Sequence, residues 1–192
     1  MAGNKDFRPE RGEYLMSVAV DHAARCNCRK TAVGAIIARD DRIISTGYNG
    51  TIEGFQNCID GGCPRCMDPT VESGTQLDRC ICVHAEQNAL LAAARFGVRI
   101  EGAVSWVTTE PCLDCTKQLI QAHLAEVNYW KPYALPKPES QALRAEMRKH
   151  ASRVTKFKLW RPKTDVLGLE ERYQAIKSRL DNYVTARQTS AK

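Results

Sequence analysis

The chain predicts an α/β fold, a mixed β-sheet with helices on both faces. Short β-branched runs alternate with helical stretches in the order α-β-β-α-β-α-β-α-β-α, the pattern of a sheet covered on two sides. One pair of strands is joined by a tight turn and reads as a hairpin, which makes the sheet mixed. With 192 residues and 43% hydrophobic content, there is enough apolar side chain for one core. No segment approaches ~18 consecutive apolar residues, which excludes a membrane-spanning helix. Met1-Ala2-Gly3-Asn4-Lys5-Asp6 lacks the apolar run of a secretory signal.

Tyr14, Leu15, Val18, Ala19 and His22 recur at helical spacing, predicting a first helix over residues 10–28 that ends before Thr31. Val33 to Ala38 is a β-branched run, Asp40-Asp41 marks a turn, and Arg42 to Gly47 returns as the second strand. Residues 48–83 are rich in Gly, Cys and Asp and show no period. A loop that long inside a compact domain needs something to hold it. Good helix formers run from His84 to Phe96 until Gly97 stops them. A strand is expected over 103–108, a helix over 112–123 and a strand over 125–130. Helix character returns over 139–150, a strand over 154–160 and a helix over 169–183, with a frayed tail from Thr185 to Lys192.

Chemistry concentrates in His84-Ala85-Glu86 and Pro111-Cys112-Leu113-Asp114-Cys115. One imidazole and two thiolates fill three positions of a tetrahedral zinc ion and leave the fourth for water. Water in such a site becomes a nucleophile near neutral pH. Glu86 stands two residues from the His ligand, where it can carry a proton. A structural zinc knuckle would use the same His and Cys residues, but it would take four ligands and has no need of Glu86. His84 and Cys112 each stand where a predicted helix begins, and the positive end of a helix favours thiolate.

The cysteine count is nine, with close pairs at Cys26/Cys28, Cys63/Cys66, Cys80/Cys82 and Cys112/Cys115. In an intracellular chain that pattern reads as metal ligation rather than disulfides. The net charge of +6 suits a phosphorylated substrate and equally suits a solvated surface.

H-x-E followed by P-C-x-x-C resembles the cytidine/deoxycytidylate deaminase superfamily. Val33-Gly34-Ala35-Ile36-Ile37, Gly47-Tyr48-Asn49-Gly50 and the Cys-rich insert make the likeness strongest to its deoxycytidylate branch of bacteria and phages. It covers about residues 10–133. Residues 1–136 are thus expected to form a zinc deaminase core of the three-layer fold typical of that family. Residues 137–192 are expected to be an extension of helix and strand packed on the same domain.

The resemblance implies zinc on His84, Cys112 and Cys115, with Glu86 protonating N3 of dCMP and passing a proton to the departing ammonia, giving dUMP. It implies Asn49 at the deoxyribose and the Ala85 backbone at the base edge. Tyr133 is a candidate for the 5′-phosphate or simply a packed tyrosine. Arg29 and Lys30 could meet phosphate or be an ordinary exposed pair. It implies a second, structural zinc on Cys28, Cys58 and Cys82, with Cys66, Cys63 or Cys80 as the fourth ligand. It implies a cytoplasmic homo-oligomer, a hexamer by preference, activated by dCTP with Mg²⁺ and inhibited by dTTP. The effector is expected near Gly47, Tyr48, Asn49 and Gly50, with Arg95 carrying a subunit contact.

Two other functions compete. A deaminase acting on tRNA or single-stranded DNA would use the same chemistry and could bind phosphates with Arg144, Arg148, Lys149, Arg153, Lys156, Lys158, Arg161 and Lys163. Nucleic acid is the weaker choice, because Glu139 and Glu146 interrupt those charges. A non-catalytic zinc module is the third reading, and Glu86 argues against it.

Overall fold

Asp40 and Asp41 both adopt positive φ, 48° and 60°. That conformation twists a two-residue turn in the same sense as its flanking strands. It closes the hairpin of β1 (Gly34–Arg39) and β2 (Arg42–Tyr48). The computed structural model describes residues 8–189. The N-terminal stretch read for a signal and the last residues of the expected frayed tail lie outside them.

The remaining elements follow in chain order. Helix α1 (Arg11–Ala23) precedes the hairpin. After it come β3 (Gly50–Thr51), the single turn α2 (Pro64–Met67), β4 (Cys82–Val83) and α3 (Ala85–Arg95). Next are β5 (Val104–Thr109), α4 (Leu113–Gln121), β6 (Glu126–Lys131), α5 (Pro138–His150), β7 (Lys156–Leu159) and α6 (Leu169–Thr189). The main sheet runs β2-β1-β5-β6-β7. Its β1 is antiparallel to both β2 and β5, whereas β5, β6 and β7 are mutually parallel. The mixed sheet expected from the sequence is therefore present.

Alternation along β1 sends its side chains to two cores. Ile36 and Ala38 pack with Leu15, Met16, Ala19 and Val20 of α1 and with Leu169 and Tyr173 of α6. Ala35 and Ile37 face the other way, onto Ala85 and Ala89 of α3 and onto Leu119 and Leu124. Three layers result, with α5 alongside α4.

Three expectations need correction. The first helix stops at Ala23, short of residue 28. The chain leaves it so that Asn27 can bind the loop: its backbone N–H donates to Asn49 O at 3.2 Å, and its Oδ1 accepts from Thr51 N at 3.0 Å. Residues 48–83 are not structureless. They hold the β3–β4 pair, α2 and 3-10 turns at Cys58–Asp60 and Leu77–Arg79. The last helix continues past Tyr183 to Thr189.

If residues 137–192 are part of one folding unit, shortening a side chain there must cost as much as in the core. Leu169, fully buried, should lose about 2–5 kcal/mol on Leu169→Ala. Leu159, 45% exposed, should lose about 0.5 kcal/mol or less. Urea midpoints measure both.

Candidate active site

His84 is the residue before α3, and Cys112 is the residue before α4 with Cys115 in its first turn. Both helices lie on the same face of the sheet, so their N-termini meet. His84 Nδ1 is 3.4 Å from Cys112 Sγ and 3.4 Å from Cys115 Sγ. Ligand atoms on a tetrahedral zinc ion stand roughly 3.5 Å apart, given the usual zinc–nitrogen and zinc–sulfur bond lengths. The three donors fit that metal and leave one position open. The His84 backbone N–H donates to Gln87 Oε1 at 3.0 Å, and Cys112 Sγ accepts from the Cys115 N–H at 3.5 Å.

Electrostatics follow from this packing. Hydrogen bonding with Cys115, and then with His84, pulls the Cys112 thiol down to about 4. His84 is raised to about 9, chiefly by Cys112. Burial pushes the Glu86 carboxyl up to about 7. Glu86 is a buried group that can both hold and release a proton near neutrality.

These residues open into a cleft that Lys30, Asn49, Ala85, Glu86, Glu110 and Tyr133 help to line. Asn49 is held rigidly: its Oδ1 accepts from Val33 N at 2.8 Å and its Nδ2 donates to Thr31 O at 2.9 Å. Lys30 reaches the cleft while also donating to Val71 O at 3.0 Å. Arg29 instead turns toward Met67 Sδ at 3.8 Å. Burial raises the pKa of Tyr133, whose ring stands by Ser73.

The glycines of the tetrad Gly47-Tyr48-Asn49-Gly50 pack closely against protein atoms. A Cβ on Gly47 would lie 2.1 Å from Ala85 O, and one on Gly50 would lie 2.8 Å from the Asn27 side chain. Both are buried, and their small size serves packing. Arg95 is exposed at the end of α3 and pairs with Glu53 at 3.6 Å.

All of the cysteines named for a structural site come together. The sulfurs of Cys28, Cys58, Cys66 and Cys82 lie within 4.8 Å of one another, and so do those of Cys63, Cys66, Cys80 and Cys82. Cys26 stays apart, its Sγ donating to Thr31 O at 3.1 Å, and burial pushes its thiol up to about 12.

Sequence reasoning missed the brace behind Cys112. Arg144 and Arg148, one turn apart on α5, both pair with Glu110, at 3.3 and 2.6 Å. Arg144 also donates to Pro111 O at 2.9 Å and to Tyr133 O at 2.7 Å. Arginines four residues apart, with a lone Glu before Pro-Cys, were the available signal.

A family model for the cytidine and deoxycytidylate deaminase zinc-binding region matches residues 9–131. The chain is 42% identical over 139 residues to a deoxycytidylate deaminase of Schizosaccharomyces pombe, an overlap that covers 72% of this chain and 42% of that relative's length. It thus spans less than half of that protein. It is 36% identical over 128 residues to a deoxycytidylate deaminase of Mycobacterium phage D29, covering 65% of this chain and 97% of the relative. Among solved structures it is similar to the dCMP deaminase of cyanophage S-TIM5 in complex with dCMP and dUMP. The TM-score there is 0.61 at 27% identity, over 80% of this chain and 99% of that one.

The brace makes a stability prediction. Arg144→Ala removes a buried partner of Glu110 and the donor to the Tyr133 carbonyl, so it should cost about 3 kcal/mol or more. Arg144→Lys should recover little, since an ammonium cannot replace the planar fork. Urea unfolding of the two variants checks this.

Proposed function

The chain belongs to the cytidine and deoxycytidylate deaminase zinc-binding family, and on that premise we propose that it hydrolyses dCMP to dUMP and ammonia. The observation that carries this reading is the buried Glu86 beside His84, Cys112 and Cys115 at the end of an open cleft. Zinc bound by those three residues supplies the Lewis acid that makes water nucleophilic near neutral pH.

The protein's own groups do the rest. Glu86 takes a proton from the attacking water and delivers it to N3 of the cytosine. It then takes the proton of the new C4 hydroxyl and delivers it to the amino group, which leaves as ammonia while C4 becomes the carbonyl of dUMP. The Ala85 backbone meets the base edge, and the fixed Asn49 amide meets the deoxyribose. Tyr133, with Lys30 nearby, takes the 5′-phosphate. The cytoplasm suits a chain whose cysteines are all unpaired.

A deaminase of tRNA or single-stranded DNA would need the basic C-terminal residues to be free. Arg144 and Arg148 are instead committed to Glu110 and turned away from solvent. That supports a free nucleotide as substrate.

Control by dCTP with Mg²⁺ and by dTTP, and assembly into a hexamer, complete the proposal. Assembly is supported by the exposed apolar surface beside the Arg95–Glu53 pair, where Leu91 is 59% and Phe96 is 74% accessible; control by nucleotides follows from the family likeness.

Ammonia release from dCMP, CMP, dCTP, cytidine, deoxycytidine and a single-stranded oligonucleotide tests the substrate. Turnover confined to the oligonucleotide would falsify the assignment. Glu86→Gln should retain zinc and fold but lose turnover by roughly three orders of magnitude; a variant keeping a tenth of the activity would remove Glu86 from the mechanism. Velocity against dCMP should be sigmoidal alone and hyperbolic with dCTP and Mg²⁺. Hyperbolic curves in both conditions, with no heat of dCTP binding, would leave an unregulated enzyme.

A further inference from the structure

Six thiols, four of which line the cleft, form two sets of four, and the sets overlap. Cys66 and Cys82 belong both to the group with Cys28 and Cys58 and to the group with Cys63 and Cys80. Two tetrahedra sharing an edge describe a binuclear thiolate centre, in which two sulfurs bridge and four are terminal.

Sulfur–sulfur contacts follow the same division. Cys66 Sγ and Cys82 Sγ lie within 4.8 Å of Cys28, Cys58 and Cys80 and of each other, and Cys28 and Cys58 lie as close to one another. Cys80 Sγ lies 3.8 Å from Cys66 Sγ and 3.9 Å from Cys63 Sγ.

The spacing is that of metal ligands. Two sulfurs on one zinc ion stand roughly 3.8 Å apart, matching 3.8 Å for Cys66–Cys80 and 3.9 Å for Cys63–Cys80. A disulfide would require about 2 Å. A single ion on either set would leave two thiols of the other without a metal, Cys63 and Cys80 or Cys28 and Cys58.

Charge supplies an independent sign. Arg65 is buried, 3% exposed. Its guanidinium donates to the Glu72 and Thr75 carbonyls and reaches Cys66 Sγ at 3.8 Å. Among the described residues it has no carboxylate ion pair. A buried cation of this kind calls for nearby negative charge, and six thiolates around two divalent ions carry a net negative charge.

We propose that Cys28, Cys58, Cys63, Cys66, Cys80 and Cys82 hold two zinc ions bridged by Cys66 and Cys82. The centre joins the end of α1's following loop, the Cys58 turn, α2 and the strand that leads into His84. It is a structural staple for a stretch whose apolar content is too thin to order it.

Native mass spectrometry of the whole chain should find three zinc ions, two in this centre and one at His84, Cys112 and Cys115. Exchange with cadmium-113 should give two thiolate resonances split by mutual coupling, because a shared sulfur transmits it. Cys80→Ser should lose one zinc equivalent together with the splitting. Two zinc ions per chain, unchanged in Cys63→Ser and Cys80→Ser, would overturn the proposal; so would iron in place of zinc, or a Cys63–Cys80 disulfide. Should Cys80→Ser fail to fold, the cadmium spectrum of the unmutated chain decides. None of the six cysteines belongs to the catalytic set. A chain holding three zinc ions without deaminating dCMP therefore refutes only the activity, and an active chain with two refutes only the bridged centre.

Discussion

The site depends on how closely α3 lies upon the sheet. At Gly47 the two backbones approach so near that a Cβ would stand 2.1 Å from Ala85 O and 2.5 Å from Ala89 N. Helix α3 begins one residue after His84, so its height above β2 sets where the imidazole stands relative to Cys112 and Cys115. Ser45 Oγ, donating to Ala89 O at 2.6 Å, and Asn88 Nδ2, donating to Tyr48 O at 2.7 Å, fix the helix in that position. Gly34 plays the matching part on the opposite face, where a Cβ would lie 1.9 Å from Ala19 O of α1. Neither glycine is needed for a left-handed turn; each is needed for its absent side chain.

The parts legible from sequence are those with a local cause. Period and β-branching locate the hairpin, β5, β6 and the helices that follow His84 and Cys112, because each depends on neighbours a few residues away. The metal-binding triad is legible because its residue types admit few other uses. Residues 48–83 were opaque, because their order comes from the Asn27 side chain and from thiols as distant in sequence as Cys28 and Cys82. The true work of Gly47 and Gly50 was hidden for the same reason. A glycine that admits a helix looks, on paper, like one that admits a ligand.

The C-terminal extension grips both sides of the cleft. On one side, α5 sends Arg144 and Arg148 to Glu110 and Pro111, directly before Cys112. On the other, Tyr173 of α6 donates to Ala32 O at 2.9 Å and approaches Thr109 Oγ1 at 3.4 Å. Arg144 and Arg148, two of the basic residues of this region, are thus turned inward, where they hold the loops that carry the chemistry. Counting Lys and Arg along the chain cannot distinguish that use from a surface meant for phosphates.

Strand β7 closes one side of the main sheet, and among the described residues no further strand is hydrogen-bonded beyond it. Such a border is an open template on which another chain's strand can lay itself. Here it is four residues long, and Lys156 and Lys158 stand exposed along it. A newcomer would have to bury those ammonium groups for very few new backbone bonds. The edge therefore guards the protein against aggregation at high concentration through brevity and charge rather than through any covering segment.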